Sequence, residues 1–340
     1  VVGPHRDSGV LAGVPRVGYD RRSCTFAGSV ESVLTYLGDP VDYDYVMGVS
    51  GLAFRRLWER DNPGNVGPLL FAPECVRRTF WALGYGFEIV SYRRGRDALL
   101  GALRRSLDEG RPVIGSGIVG PPECEVIAGY SEGGTVLHGW SYFQECGSEE
   151  YYARPHWFEN AFWGNDVGVI TLGPKGTEPL PAPRDVLVSS LRWAIELERS
   201  PKRPTCPDHV NGLAAYGAWA DALEIDADYP TDEAQTMELR QTVLIDHAAM
   251  TCERHSAAAF LRQMARVVPE VAATLNEAAI LYDQVGDEAG PIYPWGPNWG
   301  RPDIAPAAVR REIACHVRAA AEIEARAVTM LEQALAGLRE

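Results

Sequence analysis

Lysine is almost missing from this chain. Of 32 basic residues in 340, only Lys175 and Lys202 are lysines, so arginine carries the positive charge. Bases are outnumbered by 46 acidic residues, for a formal charge of −14 and a pI near 5.0. Nucleic acid and anionic membrane surfaces need a basic face that displaces counterions, so neither is expected as a partner. No apolar run approaches the roughly 20 residues of a membrane-spanning helix. The opening Val1-Val2-Gly3-Pro4-His5-Arg6-Asp7 lacks the basic head and apolar stretch of a secretory signal. The seven cysteines, at 24, 75, 124, 146, 206, 252 and 315, share no repeated spacing. That argues against a disulfide framework and for a reducing, cytoplasmic setting. A Walker-type phosphate loop, a Rossmann glycine fingerprint and a His-Glu-x-x-His stretch are all missing, and no cofactor is expected.

What is present is a hydrophobic fraction of 46%, enough for one large core or two medium ones. Prolines 179, 181 and 183 interrupt any helix or central strand, so the boundary between two domains is placed there, giving residues 1–178 and 184–340. The first part reads as helices followed by an antiparallel sheet, an α+β pattern. Ala27, Val30, Val33, Leu34 and Leu37 recur at helical spacing until Gly38 and Pro40. A helix opens at Pro73-Glu74, and a strand covers Phe87–Tyr92. A third helix runs from about Arg96 to Asp108, and a buried strand starts at Val113. Glu125–Tyr130 and Thr135–Trp140 flank Ser131-Glu132-Gly133-Gly134 as a hairpin, and Val167–Leu172 adds a strand. The stretch Leu52–Trp58 fits either strand or helix. Beyond the prolines the pattern is an α-helical bundle, with helices at about 184–199, 208–224, 232–266, 269–286 and 306–339.

Cys24 stands immediately before the first periodic run, at a helix N-terminus, where unpaired N–H groups and the dipole favour a thiolate. The alternative is a small buried hydrophobe. Thr25 or Ser23 is the candidate cap, without a Glu or Gln to complete a capping box. Two Cys-x-x-His stretches, Cys206-Pro207-Asp208-His209 and Cys252-Glu253-Arg254-His255, have the look of ligand pairs. Their separation is not that of a zinc signature, and no metal is assigned. Arg254 and Arg262 sit among Ala257, Ala258, Phe260 and Leu261, turned either inward or, as the reading prefers, to solvent.

Three stretches together resemble a known family. They are Cys24 before a helix ending Tyr36-Leu37-Gly38, then Gly110-Arg111-Pro112-Val113-Ile114, then the hairpin with Gly129-Tyr130-Ser131-Glu132-Gly133-Gly134. The set resembles the papain-like fold of bacteriocin-processing peptidases. Its order is closer still to the BtrH-like proteins, named for the butirosin biosynthesis acyltransferase, which join such a domain to a helical C-terminal part. The likeness covers about residues 16–173 through short motifs and the rest through architecture. It implies a Cys24-dependent acyltransferase or amide hydrolase acting on a small molecule, with an acyl carrier or acyl thioester as possible partner.

In thiol peptidases of this fold a His lies six residues before the Gly of the Gly-Tyr pair, and an Asp or Asn follows the second strand. Here the first position holds Glu123, and Gly139, Trp140 and Ser141 stand near the second, so both usual partners are missing. A carboxylate takes the thiol proton at neutral pH only if desolvation raises its pKa. The catalytic candidates are therefore Cys24, Glu123 and His138, the last reaching the site if the register differs, or else serving as an ordinary hydrogen-bonded residue. Glu125 is placed by strand alternation on the face of Glu123 and assigned to substrate binding with Trp140 and Tyr142. Phe143, Trp157, Phe158, Phe162 and Trp163 extend those aromatics into a ligand pocket or a core, and His156 is a lesser candidate. The rival readings are a binding protein without turnover and a helical scaffold for a partner.

Overall fold

The computed structural model describes residues 7–19, 23–60, 73–121, 123–144, 148–159, 168–204, 208–294 and 301–338. In chain order its elements are β1 (Gly9–Val10), α1 (Thr25–Tyr36), α2 (Tyr43–Ser50), β2 (Leu57–Trp58), α3 (Glu74–Leu83), β3 (Tyr85–Ser91), α4 (Arg96–Asp108), β4 (Val113–Ser116), β5 (Cys124–Ser131), β6 (Val136–Trp140), β7 (Tyr152–Pro155) and β8 (Gly168–Lys175). They continue with α5 (Pro183–Arg199), β9 (Val210–Asn211), α6 (Leu213–Leu223), α7 (Ala234–Cys252), α8 (Arg254–Val267), α9 (Ala272–Asp287), α10 (Ala289–Ile292) and α11 (Ala307–Gly337). The class is α+β. Two compact units divide the chain, residues 1–46 with 67–181 and residues 47–66 with 182–340. The excursion of 47–66 into the second unit, beginning inside α2, has no counterpart in the sequence reading.

The first unit is built on an antiparallel sheet in the order β3-β8-β4-β5-β6-β7, with β1 continuing beside β5. Val113 faces Ile127 and Val90 faces Val169 across the ladder, and all four join Leu99 and Leu103 of α4 in one core. Alternation turns Ile114 and Val126 to the other side of the sheet, where α1 lies against β4 and β5. Nine of the twelve residues of α1 are buried, so it is a central helix rather than a half-exposed one. The hairpin turn uses Gly133 and Gly134 at φ +62° and +95°, with Glu132 also at positive φ.

The second unit is helical. The expected helix over 232–266 is two, because the chain breaks at Glu253 and restarts as α8. Leu52–Trp58 is neither one strand nor one helix. A short 3₁₀ turn at Leu52–Phe54 leads into β2, which pairs with β9. β7 was not anticipated, and Phe162, Trp163 and Cys206 lie outside the described residues. Among the described residues no helix is long and apolar enough to cross a membrane.

Candidate functional site

Cys24 is the N-cap of α1, with extended backbone, and its carbonyl accepts the first helical bond from Gly28 N–H at 3.1 Å. Its own N–H donates to the Tyr43 hydroxyl at 2.9 Å. The Cys24 side chain makes no cap bond of its own. Instead Thr25 Oγ1 accepts the backbone N–H of Cys124 at 3.0 Å, which fastens the start of α1 to the start of β5. A cap would have satisfied a local donor; this bond joins residues 99 apart. Cys24, Cys75 and Cys124 are all buried, and none is in a disulfide.

Glu123 sits just ahead of β5, and its backbone turns in a loop rather than a strand. Its N–H donates to Pro121 O at 2.6 Å and its carbonyl accepts Gly117 N–H at 3.1 Å. Its side chain accepts the Tyr19 hydroxyl at Oε2, at 3.0 Å. The Tyr19 ring makes edge contacts with Tyr142 at 4.9 Å and Phe143 at 5.9 Å. Phe143 rests over Gly120, whose φ of +87° suits glycine and where a Cβ would come within 2.7 Å of the ring.

Burial pushes the Tyr142 phenol well above its usual range, and the neighbouring acidic groups of Cys24, Cys124, Glu31 and Glu123 push it the same way. The Cys124 thiol is raised well above normal for the same first reason, with Cys24, Cys75, Glu123 and Glu125 adding to it. Both are therefore neutral at pH 7. The bond between Cys124 and Thr25 brings the neighbouring Cys24 and Glu123 to one end of β5, where Tyr142 interacts with both.

The remaining candidates fall elsewhere. His138 pairs with Gly129, five residues along β5 from Cys124, or ~17 Å at 3.4 Å per residue. Its Nε2 is hydrogen-bonded to Ser131 Oγ at 2.9 Å, and burial lowers its pKa. The register thus keeps it from Cys24. Trp140 donates its indole N–H to Val14 O at 2.8 Å and packs on Tyr151, so it fastens the N-terminal segment. Glu125 is 1% exposed and shares the α4 face with Ile127, away from α1. The alternation argument fails because Glu123 precedes the strand. His156 is exposed, and Trp157 is buried in the α4 core, its N–H donated to Gly134 O.

Tyr19, Tyr43 and Cys124 were missed. They come from the lead-in, from α2 and from the hairpin, and no spacing links them. Among the described residues no group of three or more His, Cys, Asp or Glu is disposed to hold a metal ion. His255 instead places Nδ1 at 3.3 Å from Asp283 and lies over Gly286. Arg262 pairs with Asp283, while Arg254 is fully buried within the helical unit, which corrects the preferred solvent-facing reading.

No protein-family model and no curated protein matches the chain.

Proposed function

We propose that the first unit is a papain-like domain of BtrH-like type and that Cys24 carries acyl-transfer or amide-hydrolysis chemistry on a small molecule. One observation supports this above the others. The Cys124 N–H to Thr25 Oγ1 bond ties the residue after Cys24 to the residue after Glu123, which stands where the resemblance expects the histidine. In this reading Cys24 loses its proton to the Glu123 carboxylate and its sulfur attacks the carbonyl carbon of an acyl thioester or amide. The tetrahedral intermediate collapses, expelling the leaving thiol or amine, which takes the proton back from Glu123. The acyl group on Cys24 then passes to water or to an acceptor amine. Tyr142, held neutral, is a donor available to the developing oxyanion.

The test is site-resolved alkylation by iodoacetamide, read by peptide mass spectrometry so that the exposed Cys252 and Cys315 are counted apart. Cys24 is expected to react fastest, to form an acyl adduct with short acyl thioesters, and to lose rate when Glu123 is replaced by Gln. A Cys24 that reacts no faster than Cys252 and forms no adduct ends the catalytic reading. A binding protein without turnover is the second reading, favoured by the diversion of His138 to Ser131. It is the one left if Cys24 stays inert while a ligand raises the melting temperature.

A further inference from the structure

Glu125 was assigned to substrate binding, yet it faces away from α1 and is closed to solvent. Its contacts give it a different task. Oε1 accepts two successive backbone N–H groups, Ile118 at 2.6 Å and Val119 at 3.2 Å. These residues open the loop whose far end is Glu123, and the loop is closed by Gly117 N–H on the Glu123 carbonyl. A single buried oxygen therefore organises both donors at the start of a turn that carries the candidate base. The other face of the carboxyl is toward the Tyr152 hydroxyl on β7, with the charge of Arg154 on the same strand also acting on it and Cys124 beside it on β5.

We infer that Glu125 is the positioning residue of the site: by holding the Ile118 and Val119 amides it fixes the loop that presents the Glu123 carboxylate beside the start of α1. The inference rests on the reading of Cys24 and Glu123 given above. Glu125 touches neither of their reacting atoms and acts through the backbone. Burial raises its own pKa to about 8, against the lowering effect of the two N–H bonds. The group is thus a neutral carboxylic acid at pH 7, its carbonyl oxygen accepting from the loop and its hydroxyl free to meet Tyr152. An uncharged acceptor fixes a loop without placing a second carboxylate charge near Glu123.

The experiment compares Glu125→Gln and Glu125→Leu in the full chain with two readouts. The first is hydrogen exchange at the Ile118 and Val119 amides. The second is the pH profile of Cys24 alkylation by iodoacetamide. Glu125→Gln keeps an oxygen acceptor and is expected to retain both the protection and the profile. Glu125→Leu is expected to lose protection at both amides by on the order of tenfold, the size of one hydrogen bond, and to reproduce the alkylation profile of Glu123→Gln. Protection unchanged in folded Glu125→Leu overturns the inference, and so does lost protection with a wild-type alkylation profile. If Glu125→Leu does not fold, the wild-type chain decides, since amides exchanging as fast as free loop amides would overturn it. A Cys24 that is inert in the wild type sinks the thiol chemistry alone, and amide exchange then judges the loop.

Discussion

At the scale of single residues, burial determines what each ionisable group is able to do. Glu125 is the clearest case, a carboxyl with an ordinary value of 4.5 raised to about 8 by its surroundings. Below pH 4.5 it is protonated in both the folded and the unfolded chain and contributes no pH dependence. From there upward the unfolded chain sheds the proton and the folded one keeps it. Stability therefore falls as pH rises, by on the order of 1.4 kcal/mol per pH unit, until the folded group also ionises near pH 8. Glu125→Gln carries no titrating proton there. Urea unfolding at pH 5 and pH 8 is expected to show wild type losing several kcal/mol relative to Glu125→Gln, by the same linkage; parallel behaviour of the two would mean an ordinary carboxylate. His247 is the opposite case. Burial holds its pKa well below the usual imidazole value between Trp58 and Trp219. The stability that this neutral ring contributes is present above its unfolded pKa and is lost progressively as pH falls from that value through the depressed folded pKa.

At the scale of elements, charge inside the helical unit fastens the segment 51–58. Arg254 of α8 donates Nε to Glu324 of α11 at 2.8 Å and NH1 to Arg55 O at 2.7 Å. Its NH2 lies 3.3 Å from Glu198 of α5. Arg56 reaches His247 O, Thr251 and Tyr216, and Tyr216 donates in turn to Glu324. Arg55 pairs with Glu253 at 2.9 Å, at the break between α7 and α8. Burial raises Glu198 well above its usual range, and the neighbouring Glu324 adds to this, so Glu198 holds the proton and Glu324 bears the charge. Glu198→Gln, a neutral replacement for a neutral group, is expected to cost less than about 1 kcal/mol. Arg254→Met removes the cation and its carbonyl bonds, and is expected to cost about 3–5 kcal/mol. Urea titration of the two variants checks the contrast; equal losses would place a full charge on Glu198.

Across the whole molecule, the helical unit is not a continuous stretch of chain. Phe54 packs on Tyr282 at 5.4 Å, Trp58 stacks on Trp219, and β2 forms its ladder with β9. Gly212 N–H also donates to Arg56 O at 2.9 Å. A fragment of residues 182–340 therefore lacks core side chains and the carbonyls that receive Arg254. Such a fragment is expected to be helical by circular dichroism yet to melt without a cooperative transition. The full chain is expected to melt cooperatively, and a fragment that did so too would show that the 47–66 excursion is dispensable.

How much was legible in the sequence follows the same scales. Local signals were enough for α4, whose Leu99, Leu103 and Leu107 lie on one buried face, and for the hairpin, whose Gly133 and Gly134 supply positive φ. Periodicity and backbone freedom are properties of neighbouring residues, so they are written in the order of the amino acids. The start of α1 at Cys24 belongs with them. Tertiary structure alone decided that Thr25 would bind Cys124, that His138 would meet Ser131, and that Glu125 would turn to the α4 side of the sheet, away from α1. It likewise turned Arg254 inward to Glu198 and Glu324, on a helix whose sequence equally suits a solvated arginine. The reason is physical: strand register and helix packing select which distant side chains meet, and burial at that meeting sets their charge.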